Sequence, residues 1–137
     1  MHIRSVLSRF DGRINRAKFW AGYGIAFAIV AGLVIIGSII DQAVLSLHLL
    51  SPLSTEKKGL DFSGFFLAWE LGVVLLWIYM VLALSIKRLH DRDKSGWWYL
   101  ICFVPLVGPI WLLVELGMLG GTHGINRFGP DPLDSRA

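Results

Sequence analysis

The sequence has 137 residues, of which 55% are hydrophobic and only 17% are charged, and its formal net charge at pH 7 is +3. A soluble domain has about 45–50% apolar and about 25% charged residues. The apolar residues here are gathered into three long blocks, which predicts an all-α integral membrane protein and excludes most soluble enzyme folds. Because the basic residues flank these blocks, we expect membrane lipids as partners and no nucleic acid.

A short amphipathic helix is predicted before the first block. Ile3, Val6, Leu7 and Phe10 fall at positions i, i+3, i+4 and i+7, a spacing typical of a helix that lies on the inner leaflet. Asn15 follows and is predicted to cap the first spanning helix.

The first block, residues 19–40, contains no charged residue and is long enough to span the bilayer, which takes about 20 residues. Gly24, Ala28 and Gly32 recur every four residues along it and offer a strip for close helix packing. We favour packing of this strip against other helices of the same chain. Contact with a second copy or with another membrane protein is the alternative.

The second block, residues 64–86, follows an outer loop at 41–63 in which no site is recognisable. The third block, residues 97–119, is interrupted by Pro105, Gly108 and Pro109, which must kink or break a helix. It is either a kinked spanning helix or a re-entrant pair of half-helices. We favour the spanning form, with residues 1–137 as a single membrane domain and the tail, 120–137, outside.

The distribution of Lys and Arg predicts the orientation. Five precede the first block and four lie between the second and third, against two in the outer loop and two in the tail. Cytoplasmic loops carry the excess of Lys and Arg, so a multi-pass inner-membrane protein with a cytoplasmic N-terminus is predicted. A re-entrant third block fits the same rule, with eleven basic residues against two.

Two carboxylates lie inside the apolar blocks, Glu70 in the second and Glu115 in the third. A carboxylate within the membrane is costly and points to an ion pathway or a partner. In the spanning form Glu70 and Glu115 share a level near the outer end, where Asp41 completes an acidic site for a cation or proton. We favour the simpler interpretation, in which both reach the outer interface or accept hydrogen bonds within the bundle.

Three polar motifs stand beside the apolar blocks: GRINRAKFW at residues 12–20, RLHD at 88–91 followed by SGWW at 95–98, and GTHGINRFGPDP at 121–132. Together, in this order, they resemble the bacterial inner-membrane family catalogued as domain of unknown function 805. The resemblance covers nearly the whole chain and implies the location and the fold. The family has no established activity, so it supplies no catalytic residues. The long outer loop is less typical of the family.

The second motif is predicted to form a tight cytoplasmic loop, in which Ser95 caps the third helix. The residues of this loop are Arg88, Leu89, His90, Asp91, Ser95, Gly96, Trp97 and Trp98. The alternative treats His90, Asp91 and Asp93 as metal ligands or an acid/base group, which His123 and Asp131 complete if the third block is re-entrant. No second motif of matching ligand spacing is present, so we expect no metal, no cofactor and no catalytic residue.

Basic residues of the first two motifs are predicted to contact anionic lipid headgroups. They are Arg13, Arg16, Lys18, Arg88 and Arg92. The leading interpretation of function is a non-enzymatic membrane protein that acts through helix packing, partner binding or lipid contact. A small transporter or channel subunit that uses the intramembrane carboxylates is the first alternative. A membrane enzyme that acts on a lipid or phosphorylated compound through His90 and Asp91 is the second.

Overall fold

The computed structural model describes residue 7, residues 10–50 and residues 63–134. Within these ranges the elements are α1 (Arg16–Leu50), α2 (Ser63–Asp91), a 3-10 helix (Gly96–Phe103), α3 (Val107–Leu112) and a π-helix (Leu113–Met118). The described residues hold no β-strand, only an isolated bridge between Asn126 and Gly129. The all-α class is therefore confirmed. Most of the predicted amphipathic helix, including Ile3 and Val6, lies outside the described residues.

Both long helices are apolar and long enough to cross a membrane. The most apolar window of α1 is only 11% buried within the chain and that of α2 only 17%. Large side chains such as Phe27, Ile39 and Leu75 are more than half exposed. Such a surface is stable in an apolar surrounding and not in water.

The long helices extend beyond the predicted blocks. Helix α1 continues to Leu50, so Asp41 is helical and not part of a loop. Helix α2 continues through Asp91, so the prediction that residues 88–91 form a loop is wrong. Charged residues end an apolar block, but a helix continues until its hydrogen bonding is interrupted, and no Gly or Pro occurs between Gly72 and Gly96.

The third apolar block does not form one helix. The 3-10 helix ends at Phe103, Leu106 takes a positive φ of 64°, and α3 then begins at Val107. The Glu115 carboxylate on the returning helix lies 2.6 Å from Nζ of Lys94, which precedes the block. The two ends of the block therefore lie together, and the favoured prediction of a kinked spanning helix is wrong. Pro105 and Pro109 have no N–H to donate and so interrupt the helix. The re-entrant alternative requires such a break between two half-helices.

The third block thus forms a returning pair, in which the 3-10 helix Gly96–Phe103 is followed by α3 and the π-helix, residues 107–118, running back beside it. The turn between them brings two backbones into contact at Gly108. A side chain on Gly108 would overlap the carbonyl group of Ile101 in the 3-10 helix. The N–H of Gly108 donates to the carbonyl of Val104 at 2.9 Å. Glycine is therefore required at this crossing.

The chain divides into two compact units, one of residues 1–26 with 79–137 and the other of residues 27–78. The first unit has a small core that packs the beginning of α1 and the end of α2 against the returning pair. Its fully or nearly buried members are Ile14, Phe19, Leu84, Leu89, Leu112 and Leu116. In the second unit, the backbone of Gly37 on α1 lies against the indole of Trp69 on α2.

The predicted strip of small residues meets no close packing partner among the described residues. A side chain added at Gly24 or Gly32 would meet no atom of the described residues within 4 Å. The close approach to α2 is made on the opposite face of α1, where Gly22 faces Leu84. Within the part of the chain that the structure describes, the favoured intrachain packing of the strip is therefore not found.

Candidate functional site

Two arginines and one aspartate form a buried cluster in the first unit. Arg13 comes from the first motif, and Arg88 and Asp91 come from the second. We call these three residues the charged cluster. Arg88 and Asp91 are three residues apart in the last turn of α2, so both side chains lie on one helix face and form an ion pair. Arg13, from the segment before α1, places Nη2 3.1 Å from Oδ1 of the same carboxylate. The side chains of Arg13, Arg88 and Asp91 are exposed by only 1%, 0% and 3%.

The tail supplies most of the remaining hydrogen-bond acceptors for Arg13. Its Nη1 donates to the carbonyl of Gly124 at 2.7 Å and to that of Gly129 at 3.2 Å. Its Nη2 donates to the carbonyl of Thr122 at 2.5 Å. One guanidinium thus holds the first and third polar motifs together, and charge-assisted bonds of this kind are stronger than neutral ones.

Cations and an indole cap the end of the π-helix. The last carbonyls of a helix have no partner within it and carry its negative partial charge. Nε of Arg88 donates to the carbonyl of Leu116 at 2.9 Å, and Nη1 of Arg16 donates to that of Met118 at 2.8 Å. Nε1 of Trp20 donates to the carbonyl of Gly117 at 3.3 Å. The first motif therefore fixes the end of the returning pair.

The tail in turn caps the end of α2. The N–H of Thr122 donates to the Asp91 carbonyl at 2.8 Å, and Nδ2 of Asn126 donates to the His90 carbonyl at 2.9 Å. The ring of His90 stacks on Phe128 with centroids 3.9 Å apart. The Asp91 carbonyl at the helix end thereby gains a partner from the tail, and the His90 carbonyl, which also accepts from the N–H of Asp93 at 3.0 Å, gains a second one.

The tail has its own local order around Asp131. Its carboxylate accepts hydrogen bonds from the N–H groups of Leu133 at 2.9 Å and Gly124 at 3.1 Å. These two bonds favour the charged form and hold the pKa of Asp131 below its usual value. The stabilisation they provide is therefore present near neutral pH and lost as the pH falls through that lowered pKa.

The metal or acid/base group that was the alternative for the second motif is not assembled among the described residues. Asp91 binds Arg13 and Arg88, and Asp93 pairs with Arg127 at 3.1 Å. His90 stacks on the tail. Across residues 10–50 and 63–134, no three His, Cys, Asp or Glu side chains converge in a way that could hold a metal ion.

Two of the five basic residues predicted to contact lipid headgroups are buried within the protein. The guanidinium groups of Arg13 and Arg88 are buried and bind protein acceptors, so neither reaches a headgroup. Arg16 and Lys18 are exposed, and Nε of Arg92 binds the Glu115 carboxylate at 2.5 Å. The sequence does not reveal this difference, because burial depends on which motif packs on which.

The two predicted carboxylates have different surroundings. Glu115 is nearly buried and pairs with both Arg92 and Lys94, so it accepts hydrogen bonds from residues of the first unit, as in the interpretation that we favoured. Glu70 is exposed and lines a cavity of about 380 Å³ in the second unit together with Asp41.

Both predicted capping residues are confirmed. Oδ1 of Asn15 accepts from the N–H of Lys18 at 2.8 Å at the start of α1. Oγ of Ser95 accepts from the N–H of Trp97 at the start of the 3-10 helix. The indoles of Trp98 and Trp111 then stack at 5.6 Å across the returning pair.

The sequence of the chain matches one known protein family. A family model described as a protein of unknown function, DUF805, matches residues 7–130. The chain belongs to this family. The match contains the first two polar motifs and the third up to residue 130, and it confirms the resemblance that they indicated.

Relatives of the chain include inner membrane proteins of Escherichia coli. The chain is 37% identical to inner membrane protein YhaI of strain K12 over 123 residues, which cover 90% of this chain and 85% of YhaI. It is 47% identical to inner membrane protein YhaH over 51 residues, 36% of this chain and 40% of YhaH. It is 28% identical to the protein YiiR over 98% of this chain and 92% of YiiR. No solved structure shows significant similarity to the chain. With its two apolar helices, the chain is a membrane protein of this family.

Proposed function

We propose that this chain is a non-enzymatic inner-membrane protein in which the three polar motifs form a structural clamp rather than a catalytic centre. The observation that carries the proposal is the charged cluster. Its two guanidinium groups and its carboxylate are buried and bonded to each other and to backbone carbonyls. No described residue of the cluster is left as a general base beside a nucleophile, which acyl or phosphoryl transfer would require.

The proposed topology has two spanning helices and places the N-terminal segment, the loop after α2 and the tail on the cytoplasmic side. Contacts of Arg13 with Asp91 and Gly124 support a common side for the three segments. Eleven Lys and Arg residues then lie on that side, against Lys57 and Lys58 on the other. This asymmetry agrees with the positive-inside rule.

Lipid and helix contacts are the proposed mode of action. The long helices expose apolar side chains along most of their length, which suits a lipid surround or another membrane protein. Arg16 and Lys18 are exposed beside the start of α1 and are the proposed contacts for anionic headgroups. Each basic residue near an anionic surface contributes about 1 kcal/mol.

Replacing the shared carboxylate tests the structural role of the cluster. Asp91→Asn leaves two buried guanidinium groups without a countercharge, and we expect it to lower the free energy of unfolding by about 3–5 kcal/mol. The matched control is Asp93→Asn, which breaks only the exposed pair with Arg127 and should cost less than about 1 kcal/mol. Thermal unfolding of both purified variants in detergent measures the difference. Equal stability of the two variants would contradict the clamp.

A second candidate function, ion transport, is favoured by one observation, the shared cavity of Asp41 and Glu70. It predicts cation or proton flux in reconstituted vesicles that Glu70→Gln removes. Under the leading proposal, we expect neither the wild type nor Glu70→Gln to give more flux than vesicles without protein. Glu70 is exposed, so the stability of Glu70→Gln should also stay within about 0.5 kcal/mol of the parent. Wild-type flux that disappears in Glu70→Gln but persists in Asp93→Asn would replace the leading proposal with the transporter.

A further inference from the structure

A second cavity lies in the first unit, and none of its lining residues belongs to the charged cluster. Its volume is about 220 Å³, and it is enclosed by the beginning of α1, the end of α2 and the returning pair. Its lining includes four aromatic side chains and several aliphatic ones, among them Phe19, Trp20, Tyr23, Tyr99, Leu112 and Leu116. A concave, mostly apolar pocket with few polar groups is the usual form of a small-molecule site.

Three hydroxyl groups converge in this lining. Ser85 is fully buried, and its Oγ has no well-aligned hydrogen-bond partner among the residues that the structure describes. The hydroxyl groups of Tyr23 and Tyr99 lie close enough to interact with it. A buried hydroxyl whose hydrogen bonding is incomplete costs free energy. A carbonyl oxygen of a ligand at this point would accept a hydrogen bond from Ser85.

The lining also restricts the charge and shape of an occupant. It contains no Asp, Glu, Lys, Arg or His, so an ionised group would be buried there without a countercharge. The rings of Phe19 and Tyr23 lie 5.1 Å apart, and those of Phe19 and Trp20 lie 5.5 Å apart. Such a wall favours a flat ring, since aromatic groups pack edge-to-face or offset on one another.

The cavity is open where its lining is exposed. Trp20 is 50% exposed and Leu113 is 56% exposed, and both belong to apolar surface near the start of α1 and the start of the π-helix. A long apolar tail attached to a bound ring would leave at this opening. The volume suits the ring and not a complete lipid.

We propose that this cavity binds the head ring of a neutral membrane quinone, with a ring carbonyl accepting a hydrogen bond from Ser85 and the isoprenoid tail leaving past Trp20 and Leu113. The site involves binding only and goes beyond the structural role of the clamp. It does not depend on that role, because none of the lining residues belongs to the charged cluster.

Two probes with the same tail separate the proposed contact from general apolar binding. The full chain, purified in detergent, is titrated with a decyl-substituted benzoquinone and, separately, with decylbenzene, which has no carbonyl group. We expect the quinone to raise the unfolding midpoint progressively with its concentration, as binding to the folded state requires. We expect the hydrocarbon to produce no such rise.

Variants then test the residues. Ser85→Ala removes the donor, and we expect it to weaken quinone binding roughly five- to tenfold, the effect of one hydrogen bond. Leu113→Phe narrows the opening at an exposed position and should weaken binding without loss of the fold. Val114→Phe is the matched control, since Val114 is exposed but lies outside the lining.

Three results would overturn the proposal. The first is an equal rise in the midpoint with both probes, which indicates a non-specific apolar cavity. The second is unchanged quinone affinity in both Ser85→Ala and Leu113→Phe. The third is no rise with either probe up to the solubility limit, which indicates a cavity filled by water or detergent.

Discussion

A single carboxylate, that of Asp91, is shared by two buried guanidinium groups and by two motifs of the chain. The charge within the cluster is therefore not balanced by ion pairing alone. Carbonyl groups of the returning pair and of the tail supply the remaining acceptors. A buried arginine is retained at a tolerable energy when its N–H donors are directed to acceptors, and Arg13 makes five such hydrogen bonds and Arg88 four.

Gly121 is required beside this carboxylate because a Cβ there would overlap Oδ2 of Asp91. We expect Gly121→Ala to lower the free energy of unfolding by about 1–3 kcal/mol, the usual cost of overpacking. Gly120→Ala is the matched control, since a Cβ there meets no described atom within 4 Å. It should change stability by less than about 0.5 kcal/mol. Chemical unfolding in detergent compares the two, and similar losses in both would show that Gly121 has no special role.

At this scale the sequence identifies the residues but not their partners. Arg13 and Asp91 stand in separate motifs, 78 residues apart, and juxtamembrane arginines are expected in any protein of this orientation. Nothing local distinguishes Arg13, which is buried, from Arg16, which is exposed. The local capping residues Asn15 and Ser95 were predicted correctly, because their hydrogen bonds join residues two or three apart.

At the scale of elements, the returning pair depends on close contact between the 3-10 helix and α3. Gly108→Ala would force a methyl group against the Ile101 carbonyl, which belongs to backbone and has little freedom to move. We expect a loss of about 3 kcal/mol, at the upper end of overpacking costs. Near-UV circular dichroism should also weaken, because the stacked Trp98 and Trp111 join the two halves of the pair.

Gly72→Ala is the control for this change. Gly72 lies within α2, and an added Cβ meets no described atom within 4 Å. Alanine is the better helix former by roughly 0.5–1 kcal/mol, so the variant should be as stable as the parent or slightly more stable. If Gly108→Ala behaves like Gly72→Ala in both measurements, the tight crossing is not needed for the pair.

The apolar blocks predict the presence of a helix more reliably than its ends. For α1 and α2, length and hydropathy are sufficient to predict a helix that can span the membrane. For the third block the prolines pointed to a break, but 23 apolar residues also suit a spanning helix. The deciding contacts, between Lys94 and Glu115 and between Arg88 and Leu116, join residues that are distant in sequence.

At the scale of the whole molecule, the contacts of the tail determine the expected side of the C-terminus. A fluorescent protein fused after Ala137 should fluoresce, and an alkaline phosphatase fused at the same position should be inactive, because both would be cytoplasmic. Fusions of the same two reporters within residues 51–62 should give the opposite pattern. An active phosphatase after Ala137 would reject the proposed topology and restore a third spanning helix.

The connection of Arg13 to Thr122, which joins residues 109 apart, also determines the order of events during biosynthesis. The ribosome completes both long helices before the tail emerges, so membrane insertion precedes closure of the charged cluster. Until then Arg13 has no tail carbonyls to bind, and the carbonyl of Asp91 lacks the N–H of Thr122. A nascent chain stalled before residue 122 would thus lack the tail acceptors of Arg13 and stay open at its charged end.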